Sequence, residues 1–162
     1  MHMLQVNRFF SQTYPKPSDS IDPQTINFFF KHKVLVIVGE PGLGKTTSFL
    51  QASKDEPSAV FIPIGEFLSC SNPSQYKDKV LYLDGLDEQR SKHRGRGVMD
   101  ALVAQIKQAE ASKIRIACRT AEWHSEQDLK ALEYSIPDSQ IVQLTLQPLT
   151  EKDWPKLIEG AE

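Results

Sequence analysis

The feature that most restricts the fold of this chain is a glycine-rich segment at residues 39–46, which has the pattern G-x-x-x-x-G-K-[ST]. An unbroken apolar run at residues 34–38 precedes it, and a helical stretch at residues 46–53 follows it. Glycine lacks a Cβ, so the backbone can turn tightly there and other groups can approach it closely. A strand, a glycine turn and a helix in this order predict the first unit of an α/β fold.

Four further apolar runs predict the remaining strands. They lie at residues 59–64, 80–83, 114–118 and 141–146. All four are continuous rather than alternating, which is typical of strands buried on both faces of a parallel sheet. The sequence therefore predicts a five-stranded, mainly parallel sheet with helices on both faces, arranged in three layers.

Helical patterns lie between and after these runs. Residues 97–111 carry an apolar stripe at helical spacing. Residues 125–133 predict a shorter helix that begins with a serine cap, and residues 150–159 open with a capping-box pattern. The alternation of strands and helices supports an α/β class.

The segment before the first predicted strand has two parts. Residues 11–22 are rich in proline and serine, which is typical of an extended lead-in. An Asp-Pro pair at residues 22–23 predicts the start of a helix that runs to about Lys31. We therefore expect a lead-in at residues 1–22 and a core domain at residues 23–162.

The glycine-rich segment also predicts a phosphate-binding loop, because successive backbone N–H groups form an anion nest and the next helix adds its positive end. Lys45 should bridge the β- and γ-phosphates of a nucleotide, and the Thr46 hydroxyl should ligate Mg²⁺. A glycine turn that merely caps a helix would explain neither residue. The residues expected to bind the nucleotide are Gly39, Glu40, Pro41, Gly42, Leu43, Gly44, Lys45, Thr46 and Thr47.

A second acidic element follows the apolar run at residues 80–83. Asp84 ends that run and is the candidate to complete the Mg²⁺ shell, directly or through water. Glu88 is a candidate to orient or deprotonate an attacking water. Asp87 is a candidate catalytic carboxylate as well, and its role stays open between the metal shell and a cap of the following loop or helix.

A third polar residue, Arg119, follows the run at residues 114–118. At the exit of a strand beside a nucleotide, an arginine can contact the γ-phosphate and supply positive charge as the phosphoryl group leaves. The alternative is a salt-bridged surface arginine.

These motifs, taken in this order, resemble the STAND class of P-loop ATPases and, within it, the NACHT-type nucleotide-binding domains. The similarity covers about residues 30–155. It is carried by the glycine-rich segment, by the Leu-Asp-Gly-Leu-Asp-Glu sequence at residues 83–88, by Cys-Arg at residues 118–119 and by Leu-Gln-Pro-Leu-Thr at residues 146–150. The Asp-Gly-Leu-Asp-Glu part is the most discriminating.

The resemblance implies a P-loop NTPase three-layer sandwich whose strands lie in the order 5-1-4-3-2. It implies that Asp84 holds Mg²⁺, that the acids after it support hydrolysis and that Arg119 is the first sensor. Members of the family are switches that are closed with ADP and assemble with ATP, in signalling, cell death or defence. ATP or ADP with Mg²⁺ is therefore the expected cofactor, and homo-oligomerisation of a full-length protein is expected.

The sequence departs from the family because no helical lid or winged helix follows the core before residue 162. We therefore expect a truncated core domain. Turnover by this chain alone should be weak or absent, because a site without its lid and neighbour is incomplete.

Composition limits the other classes of function. The formal net charge of −2 disfavours a nucleic-acid binder, and no apolar run approaches membrane-spanning length. Two cysteines provide no disulfide framework, so a cytoplasmic location is expected. The four histidines lack metal-ligand spacing, and no zinc site is predicted.

Two further features have alternative interpretations. The basic run at residues 89–97 is typical of a mobile solvated loop, although it could instead reach phosphates of a neighbouring subunit or of nucleic acid. Trp123 should pack under the sheet edge, with contact to adenine or a partner as the alternative.

The sequence thus predicts a Mg-ATP-binding and hydrolysing switch domain. One alternative is a nucleotide-gated oligomerisation module that scarcely hydrolyses ATP. A small-molecule phosphotransferase is a further alternative, which the acidic cluster at residues 84–88 disfavours.

Overall fold

The computed structural model describes residues 8–17, 19, 22–94, 97–136 and 141–151, which form a mixed α/β fold with a six-stranded sheet. The strands are β1 (Phe10–Tyr14), β2 (Val34–Gly39), β3 (Ala59–Pro63), β4 (Val80–Asp84), β5 (Lys113–Arg119) and β6 (Ile141–Leu146). The α-helices are α1 (Lys45–Asp55), α2 (Ile64–Leu68), α3 (Leu86–Lys92), α4 (Val98–Ala109) and α5 (Ser125–Ser135). Short 3-10 helices occupy Ile26–Phe29, Pro73–Tyr76 and Thr120–Glu122.

The sheet has the strand order β1-β6-β2-β5-β4-β3, so the expected sheet of five strands was wrong. The five predicted strands keep the order 5-1-4-3-2 among themselves, as β6-β2-β5-β4-β3, and a sixth strand lies beside β6. The difference comes from β1, which pairs antiparallel with β6, whereas the other neighbouring strands pair in parallel. Only Phe10 is buried in β1, so this edge strand has no apolar run that could predict it. It lies within the segment expected to be a lead-in.

Alternate residues of each central strand face opposite layers, because successive side chains of a strand point to opposite faces. In β2, the side chains of Val34, Val36 and Val38 pack in a cluster with α2, α3, α4 and α5. Leu35 and Ile37 pack in a second cluster with α1 and with Phe29 of the first 3-10 helix. Helices therefore cover both faces of the sheet, which explains why the runs in β2, β4, β5 and β6 are continuous.

The predicted helix over residues 23–31 was wrong, since only the 3-10 turn Ile26–Phe29 forms there. Gln24 instead exchanges two backbone hydrogen bonds with Phe10, at 2.8 and 3.0 Å, and thereby takes a strand-like conformation. The predicted helix at 150–159 lies almost wholly outside the described residues. None of the helices in the described ranges has the length and apolar character needed to cross a bilayer.

A buried network of charged side chains connects helix α1 with β4, β5 and the segment that precedes β2. Arg115 is fully buried and donates to both carboxylate oxygens of Glu56, at 2.7 and 3.2 Å. It also donates to the carbonyls of His32 at 2.7 Å and Phe30 at 3.0 Å. Tyr82 donates its hydroxyl to Glu56, and burial is the main cause that raises the pKa of this tyrosine. The network holds the end of α1 against β4 and β5.

We predict that Glu56→Gln lowers the free energy of unfolding by about 3 kcal/mol, because it leaves the buried guanidinium of Arg115 without its counter-charge. Urea denaturation of the variant and the wild type measures the loss. The matched control is Glu110→Gln, since Glu110 pairs with Lys77 at 3.7 Å and both side chains are more than half exposed. That change should cost under about 1 kcal/mol. Equal losses in the two variants would contradict the prediction.

Candidate functional site

The candidate site lies where β2, β4 and β5 end. β5 lies between β2 and β4, and Gly39 at the end of β2 is in register with Arg119 at the end of β5. Asp84 ends β4 on the other side of β5. Because the carboxyl ends of parallel strands meet at one edge of a sheet, the three predicted elements converge there.

The glycine-rich loop has the backbone conformation that its glycines allow. Gly42 and Gly44 have φ values of +81° and +80°, in the left-handed region that side chains disfavour. A Cβ on Gly42 would meet nothing within 4 Å, so conformation rather than space requires glycine at that position. Gly44 is the N-cap of α1 and has no side chain to cap it, which leaves the first-turn N–H groups available to an anion.

The loop and β4 meet through Thr46 and Asp84. The Thr46 hydroxyl donates to Asp84 Oδ2 at 3.0 Å. Burial raises the pKa of Asp84, and the Thr46 hydrogen bond and the charge of Lys45 oppose this rise. A hydroxyl and a carboxylate oxygen side by side can fill two of the six octahedral positions around Mg²⁺. Phosphate oxygens and water would fill the other four. The donor set therefore suits Mg²⁺ held together with a nucleotide.

No group of three or more His, Cys, Asp or Glu side chains suited to a metal occurs in the described ranges.

A cleft of about 250 Å³ joins the loop, the exit of β4 and the exit of β5. Glu40, Gly39 and Leu43 do not line it, although they were expected to bind the nucleotide. The cleft does bring together the other predicted site residues, which are Pro41, Gly42, Gly44, Lys45, Thr46, Thr47, Asp84, Asp87, Glu88 and Arg119.

Asp87 contacts Arg119 across the cleft. Its Oδ2 lies 3.2 Å from Arg119 Nε, and its Oδ1 accepts the backbone N–H of Arg119 at 3.3 Å. The Asp87 side chain is 12% exposed and that of Arg119 is 53% exposed, so the carboxylate is the fixed partner and the guanidinium the accessible one. Sequence reasoning left the role of Asp87 open, and the structure pairs it with the predicted sensor arginine.

Glu88 lies on the first turn of α3, exposed and beside the cleft. Its Oε2 would lie 3.5 Å from a Cβ on Gly85, so the side chain folds back over this glycine. Gly85 has a φ of +90° and is the N-cap of α3, which lets the chain turn sharply after Asp84. The turn thus places a second carboxylate next to the one that ends β4.

The interpretation of residues 89–97 as a mobile solvated loop was wrong for the part that lies in α3. Arg90 is buried and donates to both carboxylate oxygens of Asp128, at 2.8 and 2.6 Å. It also donates to the Glu122 carbonyl. The spacing along the sequence could have indicated this burial. Arg90 follows the buried Leu86 by four residues, about one helical turn, and so lies on the same face of α3.

Trp123 packs in the core, as expected. It is 6% exposed, and its Nε1 donates to Gln143 Oε1 at 2.8 Å. This indole is therefore a structural support of the sheet rather than a surface for a base.

No family model matches this chain, and no curated protein matches it. Among solved structures, the chain is similar to AMPPCP-bound DnaA from Aquifex aeolicus, with 17% sequence identity and a TM-score of 0.48. The alignment covers 80% of this chain and 44% of the DnaA chain, so this chain spans less than half of the length of that DnaA. Membership of the STAND class or of the NACHT domains stays a prediction.

Proposed function

We propose that this chain binds Mg-ATP and hydrolyses it slowly, as the core of a nucleotide-dependent switch. The observation that carries the proposal is the 3.0 Å contact between Thr46 and Asp84 in the cleft that Lys45 also lines. A loop hydroxyl, a strand-end carboxylate and a lysine in one cleft form the set that phosphoryl-transfer sites of this type require.

The roles of the loop residues follow from their chemistry. The N–H groups of the loop and of the first turn of α1 bind the phosphates, and Lys45 adds a mobile positive charge between the β- and γ-phosphates. Thr46 and Asp84 would hold Mg²⁺, which neutralises phosphate charge when bound.

The two acids of α3 then have separate roles. Glu88 is accessible from the cleft and orients or deprotonates the attacking water. The Asp87 carboxylate binds both the guanidinium and the backbone N–H of Arg119. In this proposal the carboxylate thereby directs the guanidinium toward the terminal phosphate. These two contacts support a positioning role for Asp87 rather than a role in the metal shell.

The switch role rests on the order of motifs along the chain, which resembles that of STAND ATPases in signalling and defence. In that setting the ATP-bound form of a full-length protein would assemble into a homo-oligomer. The alternative is a module that binds nucleotide and scarcely hydrolyses it, which is favoured by a site open to solvent at Arg119. A phosphotransferase is the least supported alternative.

We predict that Lys45→Met weakens Mg-ATP binding by about 10- to 100-fold, because a charge-assisted contact to phosphate is lost. Isothermal titration calorimetry measures the affinity. The control is Lys54→Met in the last turn of the same helix, where the side chain is exposed and lies away from the cleft. Unchanged binding in Lys45→Met would remove the proposal.

We predict that Glu88→Gln lowers the single-turnover rate of ATP hydrolysis by at least about 100-fold while the affinity for ATP changes little, because a general base is removed. Glu66→Gln, an exposed first-turn carboxylate of α2, is the control. The wild-type steady rate should stay below about 1 s⁻¹. A wild-type chain that binds ATP without hydrolysing it in the single-turnover assay would favour the oligomerisation module instead.

We predict that Arg119→Gln lowers the ratio of ATP to ADP affinity by about tenfold, since the arginine contacts only the terminal phosphate. Asp87→Asn should lower the same ratio by a smaller factor, because Arg119 keeps its charge and loses its fixed orientation. Paired titrations with ATP and ADP give both ratios. If Asp87→Asn instead abolished the Mg²⁺ dependence of binding, Asp87 would belong to the metal shell.

A further inference from the structure

Arg8 reaches the glycine-rich loop from a distant part of the sequence. Its Nη1 donates to the backbone carbonyl of Leu43, and its Nη2 donates to the carbonyl of Gln147 at 3.2 Å. The N–H of Gln147 in turn donates to the Phe9 carbonyl at 2.9 Å. The guanidinium therefore connects the loop to the exit of β6 and to the start of β1.

The bond to Leu43 fixes the orientation of one peptide group in the loop. The Leu43–Gly44 peptide is trans, so its carbonyl and its N–H point in opposite directions. Gly44 lines the cleft and Leu43 does not. When Arg8 holds the Leu43 carbonyl on the outer side, the Gly44 N–H is directed to the inner side, where a phosphate would lie.

The same contact gives Gly44 a second reason to be glycine. A Cβ at this position would lie 3.0 Å from Arg8 Nη1, closer than ordinary van der Waals contact. A side chain on residue 44 would therefore displace the guanidinium, in addition to straining a backbone with φ of +80°.

We propose that Arg8 is a positioning residue for the phosphate-binding loop, and that it acts through the Leu43–Gly44 peptide on the affinity for the phosphate chain. This inference rests on the proposed function. A hydrogen bond from a charged donor is stronger than a neutral one, and it polarises the peptide so that the N–H becomes a better donor. Arg8 has this effect without touching the nucleotide.

The test compares Arg8→Met and Arg8→Lys with the wild type, using ADP and inorganic pyrophosphate as probes in competition against a fluorescent nucleotide. Arg8→Met should weaken both probes by the same factor, about tenfold, because the effect falls on the phosphates that they share. Arg8→Lys should recover part of this loss, since a lysine keeps the charge but does not have the fork that reaches two carbonyls.

The matched control is Thr13→Val on the same edge strand. Thr13 donates to the Gln143 carbonyl at 3.3 Å, so this change also weakens the docking of β1 on β6 but does not touch the loop. Its affinity for both probes should equal that of the wild type. A loss in Thr13→Val as large as in Arg8→Met would show that β1 docking in general matters, and it would overturn the proposal.

Other outcomes also decide the question. Wild-type affinity in Arg8→Met overturns the inference and leaves the proposed function intact. A loss for ADP with unchanged pyrophosphate binding places Arg8 at the nucleoside rather than at the loop, and likewise overturns it. If Arg8→Met does not fold, Arg8→Lys carries the same comparison of the two probes. A wild-type chain that binds neither probe removes the proposed function, and this inference with it.

Discussion

The pairing of β5 with both β2 and β4 is the constraint on which the rest of the structure depends. Three parallel strands in this order bring Gly39, Arg119 and Asp84 to one edge of the sheet. The segment after β2 then reaches past the end of β5, and Thr46 meets Asp84 at 3.0 Å. If a further strand lay between β2 and β4, these groups would be about 4.8 Å farther apart.

Helix α3 connects this edge to the surrounding fold. Its first turn holds Arg119 through Asp87, and its second turn holds the segment after β5 through Arg90 and Asp128. Asp128 also accepts the backbone N–H of His124 at the start of α5. The exit of β5 is therefore fixed at two points by one helix, which keeps an exposed arginine at a defined place in the cleft.

Much of the fold followed from local patterns. The continuous apolar runs predicted the five parallel strands, because a strand covered on both faces by helices is apolar at most of its positions. The stripe at residues 97–111 predicted α4, whose observed bounds are Val98–Ala109. Strand β1 and helices α2 and α3 carry weaker signals. Strand β1 is a half-exposed edge, α2 has only five residues and α3 lies in a run of charges.

The sequence by itself determined the chemistry of the loop, since glycine stands at residues 42 and 44, where the φ values of about +80° strain any other residue, and lysine and threonine follow at fixed positions. Tertiary structure alone decided the partners of the charged side chains. Asp87 with Arg119, Arg90 with Asp128 and Arg8 with Leu43 join residues 32 to 38 positions apart. Such pairs depend on how strands and helices pack, and no periodicity along the chain records that packing.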